Sequence, residues 1–199
     1  GHTVFIEVNG VMYMGSQGFH DFKGKIDDLY KFRGGHLFGY DTINEKWIDF
    51  SAEMEDGVII EHQGIVGLNI LSEQELLVGI AHPMSDLVLY DYNTNTVKEV
   101  IPGIPWKLGN PLSREVIVAP NGNIYTYRGT EDLNHRYRSY NVWKYDAQTG
   151  ELTETDFAIT NGFWIGQATT SDGSMTYVTT ASGQMYSFDT ATETFTDLG

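Results

Sequence analysis

Cysteine is absent from the 199-residue chain. That excludes disulfides, thiolate zinc sites and a cysteine nucleophile. Basic residues are scarce, 12 Lys and Arg against 27 Asp and Glu, for a formal charge of −15. Duplex nucleic acid and anionic membranes recruit proteins with a basic footprint, so this balance argues against both as partners. No apolar run reaches the ~18 residues of a membrane-spanning helix. There is no initiator Met and no basic-plus-apolar leader, which reads as a mature product or a fragment. What the chain has in quantity is glycine, 22 residues, and aromatics, with 12 Tyr, 10 Phe and 4 Trp. Together with abundant Thr this composition favours β structure.

An internal repeat carries the architecture. Four segments share one pattern: HLFGYDTINEKWIDF (36–50), DLVLYDYNTNTVKEV (86–100), NVWKYDAQTGELTET (141–155) and GQMYSFDTATETFTD (183–197). Each is an alternating strand, an aromatic–Asp pair, a polar turn and a second strand. The pairs are Tyr40-Asp41, Tyr90-Asp91, Tyr145-Asp146 and Phe188-Asp189. Asp and Asn suit such turns because their side chains bond the local backbone and tolerate left-handed geometry. Ahead of each pair lies a second hairpin, with Asn9-Gly10, Asn121-Gly122 and Asp172-Gly173 as short-turn signals. Four antiparallel strands repeating at ~40–50 residues are the signature of a β-propeller. The expectation is an all-β chain with blades at about 3–53, 57–101, 112–157 and 163–198, a single propeller domain or propeller fragment over residues 1–199. The competing fold is a β-sandwich, which the regular spacing of the repeat disfavours. The first blade starts at its first strand and the last ends at its fourth. No strand is left to lock a ring across the termini, so another chain or segment is a candidate to complete it.

Successive strands of a meander reverse direction, and this sorts the loops into two ends. The first–second and third–fourth turns are short and carry Asp41, Glu45, Asp91, Asp146, Glu151, Asp189 and Glu193. The opposite end receives the long loops 16–35 and 128–140 and the connectors 54–63, 101–112 and 157–163. His20, His36, His62, His82 and His135 map there, with Arg33, Arg128, Arg136, Arg138, Trp106 and Trp164. An acidic chain is thus expected to have one end that leans basic, and loops on a rigid scaffold are where function resides.

His, Tyr and Arg together suit proton abstraction beside a carboxylate. On a uronate-containing glycan, Arg neutralises the carboxylate, a His or Tyr takes the C5 proton, and another protonates the departing oxygen. His82 in AHPMSD sits at a strand end beside Pro83; His62 follows Glu61 at a blade entry, where a structural role is equally open. Tyr127 in NIYTYRG lies nearer the loop than Tyr125. Arg128, Arg136 and Arg138 are the carboxylate partners in view, His36 is a strand-start residue at the same end, and Trp106 offers a face for stacking on sugar. Histidines from converging loops could alternatively hold a divalent cation, with Asp or Glu completing the shell; no HExxH occurs. No P-loop and no G-x-S-x-G is present.

RGGHLFGYD, EHQGIVGLNI, AHPMSDLVLYD and GQMYSFDTATETFTDLG resemble blade motifs of seven-bladed propeller polysaccharide lyases, ulvan lyases first and oligogalacturonate lyases more remotely. The resemblance covers about four blades. It implies β-elimination on an anionic polysaccharide, with His62 and His82 as paired histidines and Tyr127 as the catalytic tyrosine. It also implies an extracellular or periplasmic location, and the oligogalacturonate-type enzymes keep a divalent metal in view. Two further readings stand beside it: a non-catalytic propeller binding a glycan or a protein through its loop end, and a metal-dependent propeller lactonase or hydrolase.

Overall fold

The structure is a computed structural model that describes residues 5–17, 32–103, 113–129, 140–160 and 164–199. Backbone contacts divide the chain into two compact units, residues 1–70 with 75–108, and residues 71–74 with 109–199. Each unit carries two four-stranded antiparallel blades.

In the first unit, blade one consists of β1 (Phe5–Val8), β2 (Val11–Gly15), β4 (Leu37–Asp41) and β5 (Lys46–Asp49), in that spatial order. Blade two consists of β7 (Gly64–Leu71), β8 (Leu76–His82), β9 (Leu87–Asp91) and β10 (Thr96–Ile101). Two short strands, β3 (Gly34–Gly35) and β6 (Ile60–Glu61), pair with each other. They lie where the sequence suggested only loop. Gly34 is obligatory here, because a Cβ on it would stand 2.2 Å from the Ile60 carbonyl oxygen.

In the second unit, blade three is β11 (Ile117–Val118), β12 (Ile124–Gly129), β13 (Tyr140–Asp146) and β14 (Glu151–Ile159). Blade four is β15 (Trp164–Thr169), β16 (Met175–Thr180), β17 (Met185–Asp189) and β18 (Thr194–Asp197). No α-helix occurs among the described residues; Ser72–Gln74 forms a single 3-10 turn.

The Asp of each repeat builds its turn in the same way. The Oδ1 of Asp41, Asp91, Asp146 and Asp189 accepts the N–H groups two and three residues ahead, at 2.9–3.1 Å. These donors favour the carboxylate form and hold all four acids below their ordinary range, with the Asn44 side-chain amide the leading cause at Asp41. Four residues after each Asp the backbone turns left-handed, at Glu45, Asn95, Gly150 and Glu193. Only one of the four is glycine.

Alternation along the strands buries one core per unit. In the first, Tyr13 and Leu37 of blade one meet Ile65, Leu68, Leu77, Val88 and Tyr90 of blade two. In the second, Tyr125, Tyr127 and Val142 of blade three meet Trp164, Val178, Tyr186 and Phe188 of blade four. Blade-to-blade contact is therefore side chains from facing sheets, mostly aliphatic in the first unit and rich in aromatics in the second.

Candidate functional site

The loop end of the first unit is assembled by backbone ties between segments distant in sequence. Ser16 and His36 exchange bonds, with the Ser16 N–H donating to the His36 carbonyl at 2.8 Å and the His36 N–H donating to Ser16 Oγ at 2.7 Å. The Gly35 N–H donates to the Gln63 carbonyl at 2.6 Å, and the Ile65 N–H to the Ser16 carbonyl at 3.1 Å. Gln63 then joins this end to the β8–β9 loop. Its Nε2 donates to Asp86 Oδ2 at 2.5 Å, its Oε1 accepts the Met84 N–H at 3.2 Å, and Asp86 Oδ1 accepts the Gly103 N–H at 2.7 Å. The segments bearing His62 and His82 are thereby drawn to one end of the unit.

Two of the histidines have structural duties. His62 occupies left-handed backbone, with φ of 57°, and its Nδ1 lies 2.7 Å from the Phe32 carbonyl. A bond to a carbonyl fixes Nδ1 as the donor, so the neutral ring carries its acceptor at Nε2. His36 places Nδ1 2.9 Å from Asp49 Oδ2, and its ring stacks on Phe38 with centroids 5.5 Å apart. His82 is half-buried at the end of β8, and its peptide bond to Pro83 is cis.

Tyr127 lies in the second unit and is fully buried. Its ring packs edge-on against Trp164 at 5.0 Å, and its hydroxyl donates to the Trp164 carbonyl at 3.3 Å. The tyrosine expected at a reaction centre is a core residue, because alternation in β12 points Tyr125 and Tyr127 into the same blade–blade core. Trp164, expected in a surface connector, is likewise fully buried at the start of β15. Arg128 is placed by its backbone in β12, opposite Asn141. Trp106, Arg136 and Arg138 lie outside the described residues, as do His20 and His135.

The charge expected at this end differs from what the described residues carry. Exposed Glu53, Glu55, Asp56 and Glu61 crowd the connector between the first two blades, and the exposed cation beside them is Arg33. The described part of the end is acidic. The basic residues that suggested otherwise fall in segments 18–31 and 130–139, outside the described set. Among the described residues no three His, Asp or Glu side chains gather as a metal-binding set.

At the turn end of the second unit stands a network that sequence reading did not find. Glu193, on the last turn of blade four, reaches across to blade three. Its carboxylate accepts from the Tyr125 hydroxyl at 2.5 Å, from Asn123 Nδ2 at 2.7 Å and from Asn121 Nδ2, and pairs with Lys144 Nζ at 2.9 Å. Although partial burial opposes ionisation, these four donors prevail and lower the Glu193 carboxyl to about 2. Burial, then the bond to Glu193, raise the Tyr125 hydroxyl, and Glu193 raises Lys144. The partners stand about 50–70 positions away in sequence, so nothing local signals them; only the left-handed site four residues after Asp189 hints at a special position. Beside this network lies an open groove of about 360 Å³ lined by Tyr125, Glu193 and the stacked pair Phe157 and Phe195, whose ring centroids are 4.7 Å apart.

The architecture is that of a β-propeller built of four-stranded blades. The solved WD40 domain of coronin from Toxoplasma gondii superposes with a TM-score of 0.57 at 10% identity, over 96% of this chain and 42% of that one. At that identity the likeness concerns the fold, and the chain spans well under half the length of its structural neighbour. No family model and no curated protein sequence matches. The likeness supports the propeller, and nothing in it bears on the resemblance to polysaccharide lyases.

Proposed function

We propose that this chain is a non-catalytic propeller that binds a protein through the loop end of its first two blades, using basic groups on the partner. The observation that carries this reading is the use in structure of two of the three expected catalytic groups, Tyr127 in a core and His62 against a backbone carbonyl, and of the expected binding residue His36 against Asp49. What remains at the described surface is the acidic row Glu53, Glu55, Asp56 and Glu61 beside a rigid hydrogen-bonded frame. Such a row attracts cations and steers a basic partner. The likeness to a WD40 domain agrees with a binding scaffold.

The test sets basic peptides against uronate polymers. Saturable, salt-sensitive binding of lysine- and arginine-rich peptides is expected, weakened by the combined Glu53→Lys, Glu55→Lys and Asp56→Lys substitutions. No ultraviolet-absorbing unsaturated product is expected from any uronate polymer. Release of such a product, lost in His82→Ala, would restore the lyase reading and end this one.

A further inference from the structure

The edge strand of blade three breaks its regular pairing at one point. Glu154 of β14 stands opposite Trp143 of β13 and Ala158 stands opposite Asn141, so Thr155, Asp156 and Phe157 together oppose the single residue Val142. A bulge of this kind re-aims the side chains it carries. This one is locked in place. Thr155 Oγ1 donates to the Val142 carbonyl at 2.8 Å and accepts the Phe157 N–H at 3.2 Å. Phe157 lies against Phe195 of β18 with ring planes 12° apart, and Phe195 rests in turn on Phe188 at 4.6 Å and Tyr125 at 5.9 Å. The bulge forms one wall of the 360 Å³ groove, Glu193 and Phe195 of blade four contribute the other, and Tyr125 completes the lining. All of this lies within the second unit.

Charge at the groove has one sign. Lys144 Nζ is held between Glu193 at 2.9 Å and Asp146 at 3.4 Å, and Asp156 adds a third carboxylate with no hydrogen bond or ion pair among the described residues. One ammonium thus faces three carboxylates, and a cation is attracted. The lining also decides which kind of cation fits. Both oxygens of Glu193 are already occupied, Oε1 by Asn121 and Asn123 and Oε2 by Tyr125 and Lys144. Glu193 therefore supplies field and no free acceptor, and Asp156 stands exposed at the rim. A primary ammonium or a guanidinium brings N–H donors that must find acceptors on leaving water. A quaternary ammonium carries charge without donors, and aromatic rings attract it.

We propose that this groove binds the head of a small quaternary ammonium compound, held by Phe157, Phe195 and Tyr125 and by the negative field of Asp156 and Glu193. The volume is at the small end of the range for ligand clefts, which suits a head group. The site makes no use of the acidic row at Glu53–Glu61, so it and the basic-partner reading stand or fall separately.

Titration of the 199-residue chain with choline chloride, followed by amide chemical shifts in NMR at constant ionic strength, reads this directly. The expected result is a saturable shift at residues 155–157 and 193–195, with a dissociation constant on the order of millimolar. The neutral carbon isostere, with a tert-butyl group in place of trimethylammonium, is expected to bind about fivefold more weakly or less. Asp156→Asn, at an exposed side chain, should weaken choline by about threefold, and Phe157→Leu by about fivefold. Should Phe157→Leu unfold, Asp156→Asn and the isostere carry the test. An isostere that binds as well as choline overturns the proposal, because the groove would then be reading apolar surface alone. So does the absence of saturable shifts at these residues, or choline binding that neither substitution weakens. A trimethyllysine peptide that binds more than about tenfold tighter than choline overturns the assignment to a small compound, since the occupant would then be a modified polypeptide.

Discussion

Replacing Glu193 by Gln probes a network that ties the two blades of the second unit through a charge. The substitution keeps the shape of the side chain and its left-handed backbone. It removes the negative partner of Lys144 and turns one acceptor oxygen into a donor facing other donors. Tyr125 and Asn123 are 3% and 5% exposed, so neither can recover its lost bond from water. A hydrogen bond to a charged group contributes about 1.5–3 kcal/mol, and a stranded buried donor costs about 1–3 kcal/mol. Reorientation of the amide recovers part of this, leaving an expected loss of about 2 kcal/mol at neutral pH. In a chain of this size that lowers Tm by roughly 4–8 °C. The pH dependence is the sharper test. The folded carboxyl titrates at about 2, below its ordinary 4.5, so the unfolded chain takes up the proton first. The stabilisation is complete above pH 4.5 and disappears as pH falls through about 2. Urea unfolding followed by circular dichroism, on both proteins at pH 7, pH 4 and the lowest pH at which the chain stays folded, should show a difference that shrinks with acid. An equal difference at every pH would refute the charge-based account and leave only a packing effect.

Other substitutions report on the remaining features. Tyr127→Phe removes a long bond to the Trp164 carbonyl, so it should cost about 0.5–1 kcal/mol in urea unfolding and leave basic-peptide binding unchanged. Glu115 is pushed up to about 7 by burial alone. A raised carboxyl stabilises the fold only while protonated, so that contribution fades between pH 4.5 and 7. Glu115→Gln should therefore raise Tm at pH 8, by an amount equivalent to about 1–2 kcal/mol for a group that keeps some contact with water, and change little at pH 4. Gly39→Ala would bring a Cβ to 2.4 Å from the Phe50 ring and 2.9 Å from Val11. The expected cost is about 1–3 kcal/mol of overpacking in the first unit, measured as a fall in the urea midpoint.

The repeat was legible because its physics is local. An Asp that caps its own turn, a left-handed residue four positions on and alternation on either side are written into about fifteen consecutive residues. The four copies therefore place the last two strands of every blade, eight in all, and the hairpin ahead of each copy supplies the other two. Sequence also located the segments of His62 and His82 at one end, since strand reversal alone decides that. It did not decide what side chains at that end do. Alternation puts Tyr125 and Tyr127 on one face of β12, but both faces of that strand are buried, and the packing of the Tyr127 face against blade four makes it core.

Charge shows the same division. Its total, −15, is a property of composition, whereas the acidic row at Glu53–Glu61 and the carboxylate at Glu193 gain their meaning from neighbours brought in by folding. Glu193 reads as one more turn acid until Tyr125, Asn123 and Lys144 converge on it from another blade. Sequence by itself determined the unit of structure and its repetition, because those rest on hydrogen bonds and side-chain alternation within a single hairpin pair. Tertiary structure alone decided which aromatics are covered and which, like Tyr40 and Trp47, are left facing solvent, because burial is a contact between sheets and no one strand encodes its partner.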